Sequence, residues 1–366
     1  NGGKVVVEPT CRLQTLAIGL RSTIRLRVAL LLLLVCTMPW NCGDGQQVPD
    51  GSRTSAVDES GSFPRTIETA TGPLIVDRAP RRIVSCVPEA DEILAELLRG
   101  ELDRVWAVTV NGAESGWSFA RDTWASRIPV DRRIRFVGEE SDRIAGWRPD
   151  LLIVGGFTDP GFRVRMSQLG IPVLALRSTL SLDDIFANVR VIGAAIGREA
   201  QAEDMLESVR SRLAAVAATV ADEPLPRVLH LTFFGSELSV VGPGGTIDIQ
   251  LALAGYRNMA REIMDAPWGS LAFEQLARLD RDPTGGLDAV FVPSLEAWSD
   301  TRHEETRSHR ARLLDLPGAE LLKVLRENGR FVIEMPDRFG MVSSHHIVAG
   351  VEWLAAQRSR LLSNRH

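Results

Sequence analysis

Tyrosine is nearly missing from this chain: one Tyr stands against eight Trp and twelve Phe in 366 residues. Trp is costly to scatter over a surface, so some of those rings are expected to line a pocket. Cysteine is scarce as well. Only Cys86 of the four lies beyond residue 42, so the body of the chain has no intramolecular disulfide to draw on. Without such staples it needs real cores, and 366 residues suffice for two of ordinary domain size. The apolar run Val28 to Met38 is too short to span a bilayer as a stable helix.

An excess of cations is also absent. Residues 1–42 hold five basic side chains and one acid, which leaves 37 Lys/Arg against 46 Asp/Glu beyond them, a net of −9. An acidic body offers no basic stripe to replace counterions on phosphate, which argues against nucleic acid as a partner. Gly235-Ser236 and Ser85 lack the Gly-x-Ser-x-Gly frame of a nucleophile elbow. Gly242-Pro-Gly-Gly lacks the Gly-Lys-Ser/Thr ending of a phosphate loop. His230, His303 and His309 show no ligand spacing, and the adjacent His345 and His346 would point to different faces of a terminal helix. No catalytic residue, resident cofactor or metal-ion site is therefore expected. Cys86, inside a strand pattern, reads as a small core residue.

What is present begins with an export pattern. Arg21, Arg25 and Arg27 precede the apolar run, so residues 1–42 read as a signal peptide or lipoprotein signal. Cys42, or else Cys36, is the candidate lipid acceptor; an ordinary cleaved signal or an uncleaved anchor are the alternatives. The polar stretch 43–62 reads as a tether. From 63 to 180, β-type runs such as Ile83-Val-Ser-Cys86 and Leu151-Leu-Ile-Val154 alternate with helical patterns, predicting an α/β lobe with a mostly parallel sheet. Over 181–222 turn chemistry gives way, and Ala202, Met205, Leu206, Val209, Leu213, Val216 and Val220 recur at helical spacing. This predicts one long, rigid linking helix. A second α/β lobe is expected over 223–366, with helices over 270–279 and 344–362.

In this order, several blocks resemble the bacterial solute-binding proteins with a single linking helix that serve importers of iron–siderophore, haem and cobalamin. They include Arg81-Arg-Ile-Val-Ser-Cys-Val-Pro-Glu-Ala-Asp-Glu-Ile-Leu94, Trp147-Arg-Pro-Asp-Leu-Leu-Ile-Val154, Leu253-Ala-Gly-Tyr-Arg-Asn258 and Pro267-Trp-Gly-Ser-Leu-Ala-Phe-Glu274. The resemblance covers roughly 81–355. It implies a monomeric, extracytoplasmic binder that hands a bulky metal chelate to an ABC permease in the membrane, and not an enzyme. The alternative is a lyase or hydrolase built on the same two lobes. Departures lie at Asp282-Pro-Thr-Gly-Gly286, at Trp298 to Arg312 and in the loop after Thr109, so the resemblance leaves the cargo open.

In such an architecture ligand lies over the carboxyl ends of the strands. The rings expected there are Trp117, Phe157, Phe233, Phe234, Trp268 and Trp298, with Arg177 and Arg338 as forked polar contacts. The resemblance further implies one acidic docking residue per lobe, matched by position to Asp159 and Glu274, with Glu89 or Glu262 as alternatives.

Overall fold

The computed structural model describes residues 62–135, 137–221, 224–283, 285–294 and 308–363, all within one compact unit. It opens with an antiparallel hairpin, β1 (Arg65–Thr69) and β2 (Gly72–Val76). The first lobe follows as β3 (Ile83–Ser85), α1 (Pro88–Leu97), β4 (Val105–Thr109), α2 (Val110–Glu114), α3 (Arg121–Ala125), β5 (Arg133–Ile134), α4 (Ser141–Gly146), β6 (Leu151–Val154), α5 (Pro160–Gln168), β7 (Val173–Ala175) and α6 (Leu182–Ile196). Its five strands lie in the order β5-β4-β3-β6-β7, all parallel. Alternation along β6 explains its unbroken apolar run. Leu151 and Ile153 enter the core under α1 and α6, while Leu152 and Val154 face Phe162 and Met166 on the other side.

The linking segment 181–222 holds two helices, and the second is the long helix that the apolar spacing from Ala202 to Val220 predicts. Gly197 ends α6 in the left-handed region at φ 71°, and α7 runs from Glu199 to Val220. At 22 residues α7 spans about 33 Å. Its residues pass from one core to the next. Ala202, Leu206 and Val209 belong to the first lobe's core and Val216 to the second's, while Leu213 packs against both.

The second lobe comprises β8 (Arg227–Phe234), β9 (Glu237–Val241), α8 (Thr246–Leu253), β10 (Arg257–Asn258), β11 (Trp268–Ser270), α9 (Phe273–Asp280), β12 (Ala289–Pro293), α10 (His309–Leu314), α11 (Arg326–Gly329), β13 (Val332–Met335), α12 (Asp337–Gly340) and α13 (Ile347–Ser363). The sheet order is β11-β9-β8-β12-β13, with β10 also on β8. β8, β12 and β13 are parallel, while β9 and β11 extend the sheet antiparallel. The helix expected over 270–279 starts only at Phe273, because Trp268–Ser270 pairs with β9 as an edge strand.

The lobes are joined by more than α7. Val342, between α12 and α13, and Ile347 and Val348, at the start of α13, are buried in the first lobe's core, and Ile249 of α8 packs against it.

Candidate ligand-binding cleft

The parallel strands of the first lobe deliver their following loops to a cavity of about 480 Å³. Val87 and Glu89 come after β3, Gly138 after β5, Phe157 after β6 and Arg177 after β7. Ser343 reaches in from the chain ahead of α13. The loop after β6 depends on its glycines. A Cβ on Gly155 would stand 2.8 Å from Val87 Cγ1, and one on Gly156 would stand 2.7 Å from the Ser178 nitrogen.

Both helices that begin at this cavity carry a carboxyl of their own there. At α1, Glu89 stands in the first turn, and desolvation holds its carboxyl above its ordinary range. At α5, Asp159 Oδ2 accepts from the Phe162 N–H at 2.9 Å. Arg177 anchors its backbone through Asn188, leaving the guanidinium exposed.

Phe157 is 86% exposed at the cavity's mouth. On the second lobe Phe234 and Trp268, 60% and 66% exposed, meet edge to face with centroids 5.8 Å apart. Their registers, Phe234 opposite Glu237 and Trp268 opposite Val241, put both on one face of the sheet. Isolated apolar side chains need no explanation on a surface, whereas this exposed pair is in mutual contact.

Where the lobes meet, a buried polar junction forms. The Glu92 carboxylate, 3% exposed, accepts from the Phe119 N–H at 3.0 Å and from the Ser344 hydroxyl of the opposite lobe. Desolvation, opposed by those two bonds, raises its pKa to about 7. The Phe119 ring stacks on His346 at 4.4 Å, and His345 lies 4.0 Å from His346. Desolvation lowers both histidines, His346 to about 4, with the Arg212 charge adding to the effect. The expectation that the two rings splay across a helix is corrected here. Helix α13 starts at Ile347, so the pair occupies the preceding turn and its rings pack together.

Comparison with known sequences decides the family: residues 83–292 match the periplasmic binding protein model. The chain belongs to the periplasmic binding protein family. An uncharacterised ABC transporter substrate-binding lipoprotein of Bacillus subtilis is 23% identical over 321 residues, covering 84% of this chain and 96% of the relative. A cobalamin-binding protein of Halobacterium salinarum is 26% identical over 277 residues, covering 75% and 71%. Among solved structures, a periplasmic haem-binding protein of Roseiflexus gives a TM-score of 0.60 at 20% identity, covering 75% of this chain and 97% of that one. An Fe3+-hydroxamate transport protein of Saccharomonospora viridis also gives 0.60 at 20% identity, covering 80% and 98%. These two likenesses establish the fold: two α/β lobes with the long α7 between them.

Within that family fold the expected collar is only partly assembled. Phe157, Phe234 and Trp268 are exposed as expected, but two rings are not. Trp117 is buried, 8% exposed, between α2 and α3, helices that occupy what reads as a loop after Thr109. Phe233 is equally buried in the second lobe's core, its ring covered by the Arg312 guanidinium at 4.1 Å. Arg338 is exposed in α12, just after β13. Trp298 and Cys42 lie outside the described residues, as do residues 1–61 with the signal and nearly all of the tether. Glu274 is exposed in the first turn of α9, beside Glu262, Arg278 and Arg281 around a second hollow of about 720 Å³. Sequence reading overlooked Glu92 and Ser344. The available signal was Asp91-Glu92 placed directly before Ile93-Leu94 in a short helix, an acidic pair with no way to stay solvated on a face the core needs.

Proposed function

We propose that this chain is an extracytoplasmic solute-binding protein that delivers a bulky metal chelate to an ABC permease. The chelate class is that of ferric siderophores, haem and cobalamin, and the ligand is cargo bound without chemical conversion. The observation that carries this reading is the pairing of a strand-end cavity rimmed by Phe157 with the exposed Phe234–Trp268 pair of the other lobe. Aromatic faces and few charges suit a large, partly apolar macrocycle or chelate. Relatives named for cobalamin, haem and Fe3+-hydroxamate point to the same class. Export through the 1–42 signal, with anchoring at Cys42, accords with the relative named as a lipoprotein. Asp159 and Glu274, exposed carboxylates on separate lobes, are the proposed contacts to permease cations.

Titrating the purified protein with a corrinoid, haem and ferric siderophores, read by tryptophan fluorescence, tests the reading. At least one chelate should bind at micromolar concentration or below. Trp268→Ala should weaken that chelate about tenfold, the loss of one stacking contact. Silence across the whole panel would overturn the proposal.

A further inference from the structure

We propose that the ligand presents an uncharged or cationic, amide-bearing face to the first-lobe cavity, and that polyanionic chelates are disfavoured there. The inference rests on reading this cavity as the ligand site. Helix N-termini are ready-made anion sites, since their unpaired N–H groups and dipole favour negative charge. Two helices of sufficient length, α1 with 10 residues and α5 with 9, begin at this cavity. Each already carries a carboxyl of this chain, Glu89 in the first turn of α1 and Asp159 at the cap of α5. Val87 gives α1 no side-chain cap, and Glu89 stands in its first turn, lining the cavity. Asp159 takes the Phe162 N–H of α5. An incoming anion would have to displace a carboxyl or lie beside one, and like charges at close quarters repel.

The cations do not offset this. Arg177 is the guanidinium that lines the cavity, against the carboxyls of Glu89 and Asp159. On the second lobe, Arg312 is committed to the Phe233 ring and the Gly235 carbonyl, while Arg338 is exposed in α12. A single ligand carboxylate could be met by Arg177. A trianionic ferric triscatecholate, or a porphyrin carrying two propionates, would bring more negative charge than Arg177 can match beside the two carboxyls, among the described residues that line the cavity. The remaining polar lining is made of hydroxyls, Thr158, Ser178, Thr179 and Ser343, which together with the two carboxyls supply mainly acceptors. Carboxamide N–H groups are the complementary donors, and apolar ring surface is taken by Phe157.

The test is a fluorescence titration of the purified full chain with four probes: an uncharged corrinoid, an uncharged ferric trihydroxamate, a ferric triscatecholate and haem. The corrinoid or the trihydroxamate should bind at least tenfold more tightly than either anionic probe. Glu89→Gln, which keeps the side chain's size, should raise the affinity for the anionic probes relative to the uncharged ones, in a variant whose circular dichroism matches the parent. Tightest binding of the triscatecholate or haem overturns this inference alone and leaves the solute-binding reading standing. An unchanged ratio in Glu89→Gln overturns it as well. Binding of none of the four overturns both.

Discussion

Glu92 is a carboxyl held where ionisation is unfavourable. Its pKa in the fold is about 7, against 4.5 for the free group, so between those values the native state holds a proton that the unfolded chain has released. Stability from this group is therefore greatest below pH 4.5, falls as pH rises and reaches its floor above pH 7. The difference is on the order of 3 kcal/mol. Glu92→Gln keeps the acceptor for Phe119 and a polar partner for Ser344 without the ionisation. Urea midpoints of the parent should fall between pH 5 and pH 8 relative to those of the variant, and parallel curves for the two proteins would refute the assignment. The histidines act with the opposite sign. His346 is depressed from 6.5 to about 4, so its neutral form is favoured in the fold, and stability is lost as pH falls from 6.5 toward 4. Parent and variant share His346, so its contribution cancels in the difference between their midpoints.

Along α7 the magnitudes separate packing from charge. Leu206 is wholly buried in the first lobe's core, whereas the Arg212–Glu352 pair that ties α7 to α13 is about 40% exposed at both ends. Leu206→Ala should cost about 2–5 kcal/mol, Arg212→Ala at most about 1 kcal/mol and less in high salt. Denaturant unfolding of both variants checks this, and equal losses would mean that the ion pair, not the core, sets the helix. The helix was legible in the sequence because its apolar spacing recurs over six turns, and β6 because a short unbroken apolar run is what a sheet covered on both faces requires. What could not be read depends on partners distant in sequence. Strand β11 has three residues and exists because β9 pairs with it, which is why Trp268 lies on a sheet edge and not at a helix start. Phe233 and Phe234 show the limit of resolution at the site. Adjacent residues of a strand face opposite sides, so only one of the pair can reach the cleft, and which one is settled by the register with β9. The break at Gly197 marks the start of the long helix, since a glycine there takes the left-handed conformation that ends α6.

At the scale of the molecule, two lobes linked only by a helix should unfold as two bodies, and this chain is built otherwise. The first turn of α13 belongs to the second lobe in sequence but contributes Ile347 and Val348 to the first lobe's core, and Ser344 satisfies Glu92 across the junction. Separating the lobes would expose that apolar surface and strand a buried carboxyl at once. Unfolding of residues 62–363 is therefore expected as a single calorimetric transition, with van't Hoff and calorimetric enthalpies in agreement. Ser344→Ala is the informative variant, since it removes the donor and leaves the acceptor buried. The loss should be about 1–3 kcal/mol, and the transition should move to lower temperature as a whole. A trace that splits into two peaks, with one lobe melting at its original temperature, would show that the junction is incidental and that α7 alone couples the lobes. The same coupling constrains how the lobes move. With a core shared between them, the lobes are limited to small tilts of one on the other, in place of the wide hinge swing available to domains joined by extended strands.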